Sequence, residues 1–306
     1  MPEITLAGTG GMMPLTYRWL TSCYYFQNGH AVLIDCGEGT QIALTEAELR
    51  HSRVDVILLT HLHADHVSGL PGFLLSLGNS GREEPLDIYL PEGKVDIVKG
   101  LLSICDRLPY RIRFNELPID RECSFPLPQI DPLLEARSLP LRHSTHCLGY
   151  SLTLTRRQEF QPERAKELEI PVQYWRVLHS GEAVTLEDGR TITPDMVTVA
   201  NRRPIKFTYV TDTLPFKAIA EFAKDSQLFI CEGMYGDVSK KSDMNAKGHM
   251  LMQDACRLAA DAGAEQLWLT HYSPACPAPW LYEAELKKIF PNVVITKDGR
   301  KIEIKE

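Results

Sequence analysis

The chain has no Cys-x-x-Cys pair, no internal repeat, no low-complexity tract and no surplus of positive charge. Each absence removes a class of protein. The eight cysteines, at 23, 36, 105, 123, 147, 231, 256 and 276, do not form a disulfide framework or a thiolate zinc knuckle. The start, Met1-Pro2-Glu3, lacks the basic and apolar regions of an export signal. Reduced thiols in the cytoplasm are the expectation. No apolar run approaches the ~18 residues of a membrane span. Stretches such as Val56-Ile57-Leu58-Leu59 are only strand-sized. Lys plus Arg number 33 against 40 Asp plus Glu, a net charge of −7. That balance excludes a general nucleic-acid coat protein, which needs a basic surface, but not an enzyme with one local site.

What is present is ordinary globular material: 306 residues, 44% hydrophobic and 24% charged. Strands and helices alternate through most of it. Ile4–Leu6, Ala31–Ile34, Val54–Thr60 and Leu86–Leu90 read as strands. Helices are expected from Thr40, as cap, to Arg50; after Thr60, with Pro71 in a first turn and Gly78 as stop; and over Glu92–Arg107. The proline-rich stretch from Arg111 to Tyr150 reads as strands and loops. Phe207–Thr211, Leu228–Cys231 and Leu267–Thr270 are strands again, with helices from Pro215 and over His249–Ala262. Asp188-Gly189 and Asp298-Gly299 are hairpin signals. The expectation is one α/β domain over 1–306, a layered sandwich, with an inserted arm at about 156–195.

Chemistry concentrates in His61-Leu62-His63-Ala64-Asp65-His66, which follows a buried strand and precedes a helix. Imidazole and carboxylate are the usual zinc ligands outside thiolate sites. In an extended turn, residues two apart point the same way, so His61 and His63 can share an ion. Asp65 and His66 can face a second. The remaining ligands are sought at the carboxyl ends of apolar strands, where α/β proteins gather their sites. Asp212 and His271 directly follow such strands; His143, with His146 as its competitor, precedes one. The expected sets are His61, His63 and His143 for one ion and Asp65, His66 and His271 for the other, with Asp212 bridging. Two ions ~3.5–4 Å apart would hold a hydroxide and polarise a phosphoryl oxygen. The same ligands suit manganese or iron as well as zinc.

Thr-His-Leu-His-Ala-Asp-His, together with Asp35-Cys36-Gly37-Glu38-Gly39-Thr40-Gln41, Gly8-Thr9-Gly10 and Thr211-Asp212-Thr213, resembles the metallo-β-lactamase superfamily. Leu70-Pro71-Gly72-Phe73-Leu74-Leu75, Val184–Arg190 and Leu269-Thr270-His271 narrow the resemblance to the ribonuclease Z family, over nearly the whole chain. The resemblance implies a four-layer αββα sandwich and a dizinc endoribonuclease that cuts precursor tRNA at its 3′ end. It implies Asp65 as ligand and proton acceptor, and His249, at a helix start, as donor to the leaving oxygen. Glu232 would orient His249, and Arg18 would hold phosphate. It also implies a homodimer, one subunit's arm presenting RNA to the other's site.

The sequence departs from that family at Leu15 and Trp19, at His249-Met250-Leu251, and in the arm at Ile170–Trp175. From Arg156 to His179 the arm holds five basic residues (156, 157, 164, 166, 176) and four acidic ones, a net of +1. Tyr174 and Trp175 can either stack on bases or anchor the arm. Asp35 and Gly37 can simply make the tight turn below the site. Two competitors follow: a dimetal hydrolase of small phosphodiesters, cyclic nucleotides or lactone-like esters, and a non-catalytic RNA- or metal-binding protein.

Overall fold

The computed structural model describes residues 1–156, 158–199 and 203–305. Arg157, one of the arm's expected cations, lies outside them. The first six strands are β1 (Glu3–Gly8), β2 (Ser22–Gln27), β3 (His30–Ile34), β4 (Val54–Leu58), β5 (Leu86–Pro91) and β6 (Ile112–Leu117). Next come β7 (Cys123–Pro126), β8 (Leu134–Leu141) and β9 (Cys147–Leu154). Four two-residue strands follow: β10 (Glu159–Phe160), β11 (Val184–Thr185), β12 (Thr191–Ile192) and β13 (Thr198–Val199). The last five are β14 (Ile205–Val210), β15 (Leu228–Glu232), β16 (Leu267–Thr270), β17 (Val293–Ile295) and β18 (Arg300–Glu303).

Two seven-stranded sheets result, in the orders β18-β1-β2-β3-β4-β5-β6 and β17-β16-β15-β14-β9-β8-β7. Strands β3 to β6 run parallel, as do β14 to β17. Parallel strands buried on both faces read as continuous apolar runs rather than alternating ones. Alternation still sorts their side chains: Leu33, Ile57 and Leu59 pack with the helices Thr40–Glu46 and Leu70–Asn79. Val32, Ile34, Val56 and Leu58 point the opposite way and are equally buried. There the sheets meet: Tyr25 of β2 stacks on Phe207 of β14 at 6.3 Å, and the Tyr150 hydroxyl donates to the Leu59 carbonyl. The helices Lys217–Phe222, Met252–Ala262 and Glu283–Ile289 cover the outer face of the second sheet. Helix, sheet, sheet, helix is the four-layer αββα sandwich.

Several local expectations are corrected. Strand β2 does not stand out as an apolar run, because its Tyr24 and Phe26 serve one face while Cys23 and Tyr25 serve the other. Thr40 does not cap its helix; Gly39 does, and the Thr40 hydroxyl donates to the Gly37 carbonyl. That helix stops at Glu46, because Glu48 turns left-handed (φ 56°). The helix expected over Glu92–Arg107 is Val95–Leu101 with one 3₁₀ turn, and Gly78 lies inside its helix rather than ending it. Asp298-Gly299 does not close a hairpin. Gly299 N–H donates to the Leu6 carbonyl, and β18 crosses to pair with β1 while β17 stays in the other sheet.

The chain divides into two compact units, Met1–Thr153 with Lys206–Glu306, and Leu154–Ile205. The smaller unit contains the expected arm. Its own apolar core gathers Ala165, Ile170, Leu178, Val184, Ile192 and Val197, with Tyr174 and Trp175 packed against it. Trp175 donates its indole N–H to the Ile170 carbonyl and leans on Phe160. The Asp188-Gly189 turn does join β11 to β12, with Gly189 at φ 84°. All eight cysteines are free thiols, and no helix among the described residues is long and apolar enough to cross a membrane.

Candidate metal centre

The first half of the centre comes from one turn. Strand β4 ends at Leu58, and the chain passes through Thr60 and His61 into the short helix Ala64–Val67. Asp35, at the end of β3 with φ 59°, lies beneath this turn. Its carboxylate accepts from the Thr60 N–H (2.8 Å), the Thr60 hydroxyl and His66 Nδ1 (2.8 Å). Asp35 therefore does more than make a turn: it fixes which nitrogen of His66 faces the site.

The second half comes from separate strand ends. Asp212 follows β14 at φ 51°, and His271 follows β16 at φ 57°. Left-handed backbone at a non-glycine residue costs about 1–3 kcal/mol and clusters at functional sites. Glu232 is the last residue of β15, and His143 lies just beyond β8. His143 Nδ1 donates to the Gly248 carbonyl at 3.0 Å. Gly248, at φ 75°, is needed there, since a Cβ would come within 2.9 Å of His143 Nδ1.

These residues converge in the two expected sets. His61, His63, His143 and Asp212 offer ligand atoms within 4.8 Å of one another, and so do Asp65, His66 and His271. His63 Nδ1 lies 3.0 Å from His61 Nε2 and 3.2 Å from His143 Nε2. His66 Nε2 lies 3.2 Å from His271 Nε2. The two oxygens of Asp212 divide between the sets. Oδ2 is 3.7 Å from both His61 Nε2 and His143 Nε2; Oδ1 is 3.4 Å from His66 Nε2 and 3.3 Å from His271 Nε2. His146, the competitor of His143, is exposed and belongs to neither set.

Hydrogen bonding tests whether a cation fits. Nδ1 of His66 and of His143 are committed to Asp35 and Gly248, which turns both Nε2 atoms toward the site, where each offers a lone pair when the ring is unprotonated. Those lone pairs face other ring nitrogens and carboxylate oxygens. Asp212 Oδ1 is buried with no hydrogen-bond donor. Acceptors packed against acceptors are costly unless positive charge lies among them. The donor set, imidazole with carboxylate, suits a divalent transition metal.

The electrostatics agree. Burial works against the Asp65 carboxylate, but the hydrogen bond and charge of His271 and the charge of His66 outweigh it and hold the carboxyl well below its usual range. Burial likewise opposes the Asp212 charge, and His271, His66 and His61 overcome it. His66 is pushed up despite its burial, by Asp212 and Asp35: the cluster calls for positive charge. His61 is pushed down by burial and by the neighbouring His66. His249 behaves differently. Burial opposes its charge, but Glu232, with Oε2 at 3.0 Å from His249 Nδ1, raises it to about 9.

The helix expected from His249 begins only at Met252, with Leu251 as its cap. Leu251 is extended, and the Met252 N–H donates to the Tyr235 carbonyl. His249 therefore stands in the loop before the helix, and no helix N-terminus supports it. Its ring stacks on His271 at 5.7 Å and meets His143 at 5.0 Å. Glu232 is fully buried and also accepts the Thr213 N–H at 2.6 Å.

Two features were not legible. The Met12 N–H donates to Asp65 Oδ2 at 2.6 Å, from a residue at φ 71°. Gly11 lies so close to His271 that a Cβ would come within 2.6 Å of its ring. Only the Gly-Thr-Gly-Gly run hinted at such an approach. Arg18, expected on phosphate, is 6% exposed. Its guanidinium lies over the rings of Tyr272 (5.0 Å) and Tyr17 (5.6 Å) and donates to the Cys276 carbonyl at 3.5 Å.

Comparison with known proteins narrows the family. Residues 16–122 match the model of the metallo-beta-lactamase superfamily. A protein of Lachnospira eligens named Ribonuclease Z is 43% identical over 309 residues, covering 100% of this chain and 98% of that protein. One of Lachnoclostridium phytofermentans with the same name is 42% identical over 302 residues, covering 99% and 97%. Among solved structures, the human tRNase Z short form superimposes with a TM-score of 0.71 at 21% identity, covering 99% of this chain and 100% of that one.

Proposed function

The chain belongs to the ribonuclease Z family of the metallo-β-lactamase superfamily, and from that premise we propose that it is a metal-dependent endoribonuclease cutting precursor tRNA at its 3′ end. The observation that carries the reading is the division of Asp212: one oxygen toward His61 and His143, the other toward His66 and His271. In this reading His61, His63 and His143 would hold one ion and Asp65, His66 and His271 a second, with Asp212 able to contribute to both. Zinc suits the donors. When bound, such a pair neutralises phosphate charge and lowers the pKa of water.

The protein's own groups do the rest. Asp65 is kept ionised and aimed by the Met12 N–H, so it can accept the proton of the attacking water. His249 keeps Nδ1 on Glu232 and carries a proton at neutral pH, so it can donate to the leaving 3′-oxygen. Glu232, locked by Thr213, acts through His249. Arg18 holds the loop that carries Met12, through Tyr272 and Cys276. The products are an RNA ending in a 3′-hydroxyl and a trailer beginning with a 5′-phosphate. The family resemblance extends the reading to a cytoplasmic homodimer.

The deciding experiment incubates zinc-loaded protein with precursor tRNA and with a generic phosphodiester, and maps the cuts. Discrete cleavage at the 3′ end, lost in Asp65→Ala while the fold survives, is the expected result. Turnover of the small ester with intact tRNA would replace this reading with a small-substrate hydrolase. Fewer than two ions per chain would remove the bridging role of Asp212.

A further inference from the structure

Against the loop that carries Met12 lies a cavity of about 340 Å³ that the chemistry above does not use. Tyr17, Arg18, Trp280, Lys297, Asp298 and Arg300 line it. Its size is near the lower end of the roughly 300–1,000 Å³ of small-ligand sites, room for a single nucleotide but not for a duplex.

Two large aromatic rings are held in water here. Tyr17 and Trp280 are each 61% exposed. Both rings line the same cavity, so together they offer aromatic surface on which a flat base can stack. Both are rigidly mounted. Tyr17 sits at the tip of a two-residue turn closed by reciprocal hydrogen bonds between Leu15 and Arg18, 3.0 and 3.1 Å. One side of its ring faces the buried Arg18 guanidinium. Trp280 follows Pro277 and Pro279 in a 3₁₀ turn, Pro279–Tyr282.

The charges on this wall are unpaired cations. Neither Lys297 nor Arg300 makes an ion pair among the described residues, and both are exposed. Arg300 lies over the Trp268 ring at 5.5 Å, which steadies its guanidinium. The one carboxylate present, Asp298, is committed inward. It accepts from the Thr9 N–H (2.9 Å), the Thr9 hydroxyl (2.6 Å) and the Trp19 N–H (2.5 Å). The loop also links the cavity to the metal centre. Gly11 N–H donates to the Tyr272 carbonyl and Tyr272 N–H to Thr9, so one loop touches both His271 and this cavity.

We propose that this cavity binds one unpaired nucleotide of the RNA flanking the scissile phosphate, its base stacked on Trp280 beside Tyr17 and its phosphate held by Lys297 and Arg300. Stacking tolerates any base, while the two cations select a ligand that bears phosphate. The inference rests on the RNA-cleaving reading and adds a specificity subsite to it. Arg18 then serves as a positioning residue for Tyr17.

The test compares wild type with Trp280→Ala, Trp280→Phe and the double variant Lys297→Ala/Arg300→Ala on precursor tRNAs with one-nucleotide and six-nucleotide trailers. Trp280→Ala should raise KM about tenfold with kcat within twofold, and Trp280→Phe should recover most of it. The double variant should lower the salt slope of KM by about 1–2. If the trailer fills the cavity, only the long-trailer substrate responds; if the unpaired 3′ end of the mature side fills it, both respond alike. KM unchanged in both alanine variants, with wild-type cleavage intact, overturns the subsite. So does an equal fall in kcat in Trp280→Phe, the mark of structural damage. A direct readout separates this from failure of the RNA-cleaving reading: quenching of Trp280 fluorescence by a single-stranded RNA trinucleotide. Quenching that persists in Trp280→Phe, or none in wild type, rejects the subsite even if precursor tRNA is never cut.

Discussion

The two halves of the metal centre are built by opposite means. The half on the first sheet is local: four ligands within six residues, on one turn between β4 and the helix Ala64–Val67. The half on the second sheet is dispersed: His143, Asp212, Glu232, His249 and His271 come from separate segments between residues 143 and 271. A local cluster carries its geometry in its spacing. A dispersed one has geometry only once parallel strands bring their carboxyl ends together. The dispersed half is also where the chain accepts strain, at Asp212 (φ 51°) and His271 (φ 57°). Asp35 is the counterpart on the local side, at φ 59°.

Asp212 reaches both ligand sets, so its removal should have the largest effect. Asp212→Ala is expected to lower precursor cleavage by about 10⁴-fold or more and to release metal from both sets. Metal analysis by mass spectrometry checks it; two ions retained per chain would show that the halves bind independently. His249→Ala belongs to the dispersed half but holds no expected ligand. It should reduce kcat by about 10²–10⁴-fold with both ions retained. Glu232→Gln should reproduce a fraction of that loss, and loss of metal in either variant would move His249 into the ligand set.

Asp35→Asn probes the local half from beneath. Turning the partner of His66 Nδ1 into an amide should weaken metal affinity about 10–100-fold, measured by chelator competition. No change would mean that the turn alone orients His66. The smallest effect on the site is expected from the other compact unit. Trp175→Ala removes a ring from the arm's core and the bond to Ile170, and should cost roughly 2–3 kcal/mol of that unit's stability. Proteolysis should then reach 154–205 first, with two ions still bound per chain; metal loss would contradict the division into units.

Much of this contrast could be read in advance. Strand-sized apolar runs predicted β1, β3, β4, β5, β14, β15 and β16, because strands buried on both faces are apolar throughout. Strand β2 was missed, since Ser22 to Gln27 mixes hydroxyls with aromatics that serve two different layers. Gly263 ended its helix as expected, at φ 62°, but the beginning was misplaced by three residues. A chain that reads apolar through Met250-Leu251-Met252 does not reveal that Leu251 is extended.

Sequence by itself determined which residues are candidate ligands, because only imidazole and carboxylate at strand ends offered the chemistry, and the spacing His-x-His-x-Asp-His placed four of them on one turn. It also determined the layers, because burial on two faces dictates composition. Tertiary structure alone decided which oxygen of Asp212 faces which set, that Asp35 selects the exposed nitrogen of His66, and that Met12 donates to Asp65. It set Arg18, expected on phosphate, as a buried post between two tyrosines. It also set Tyr17, Trp280, Lys297 and Arg300, up to 283 positions apart, around one cavity. Such facts depend on direction and distance between remote segments, and those are fixed only when the two sheets pack.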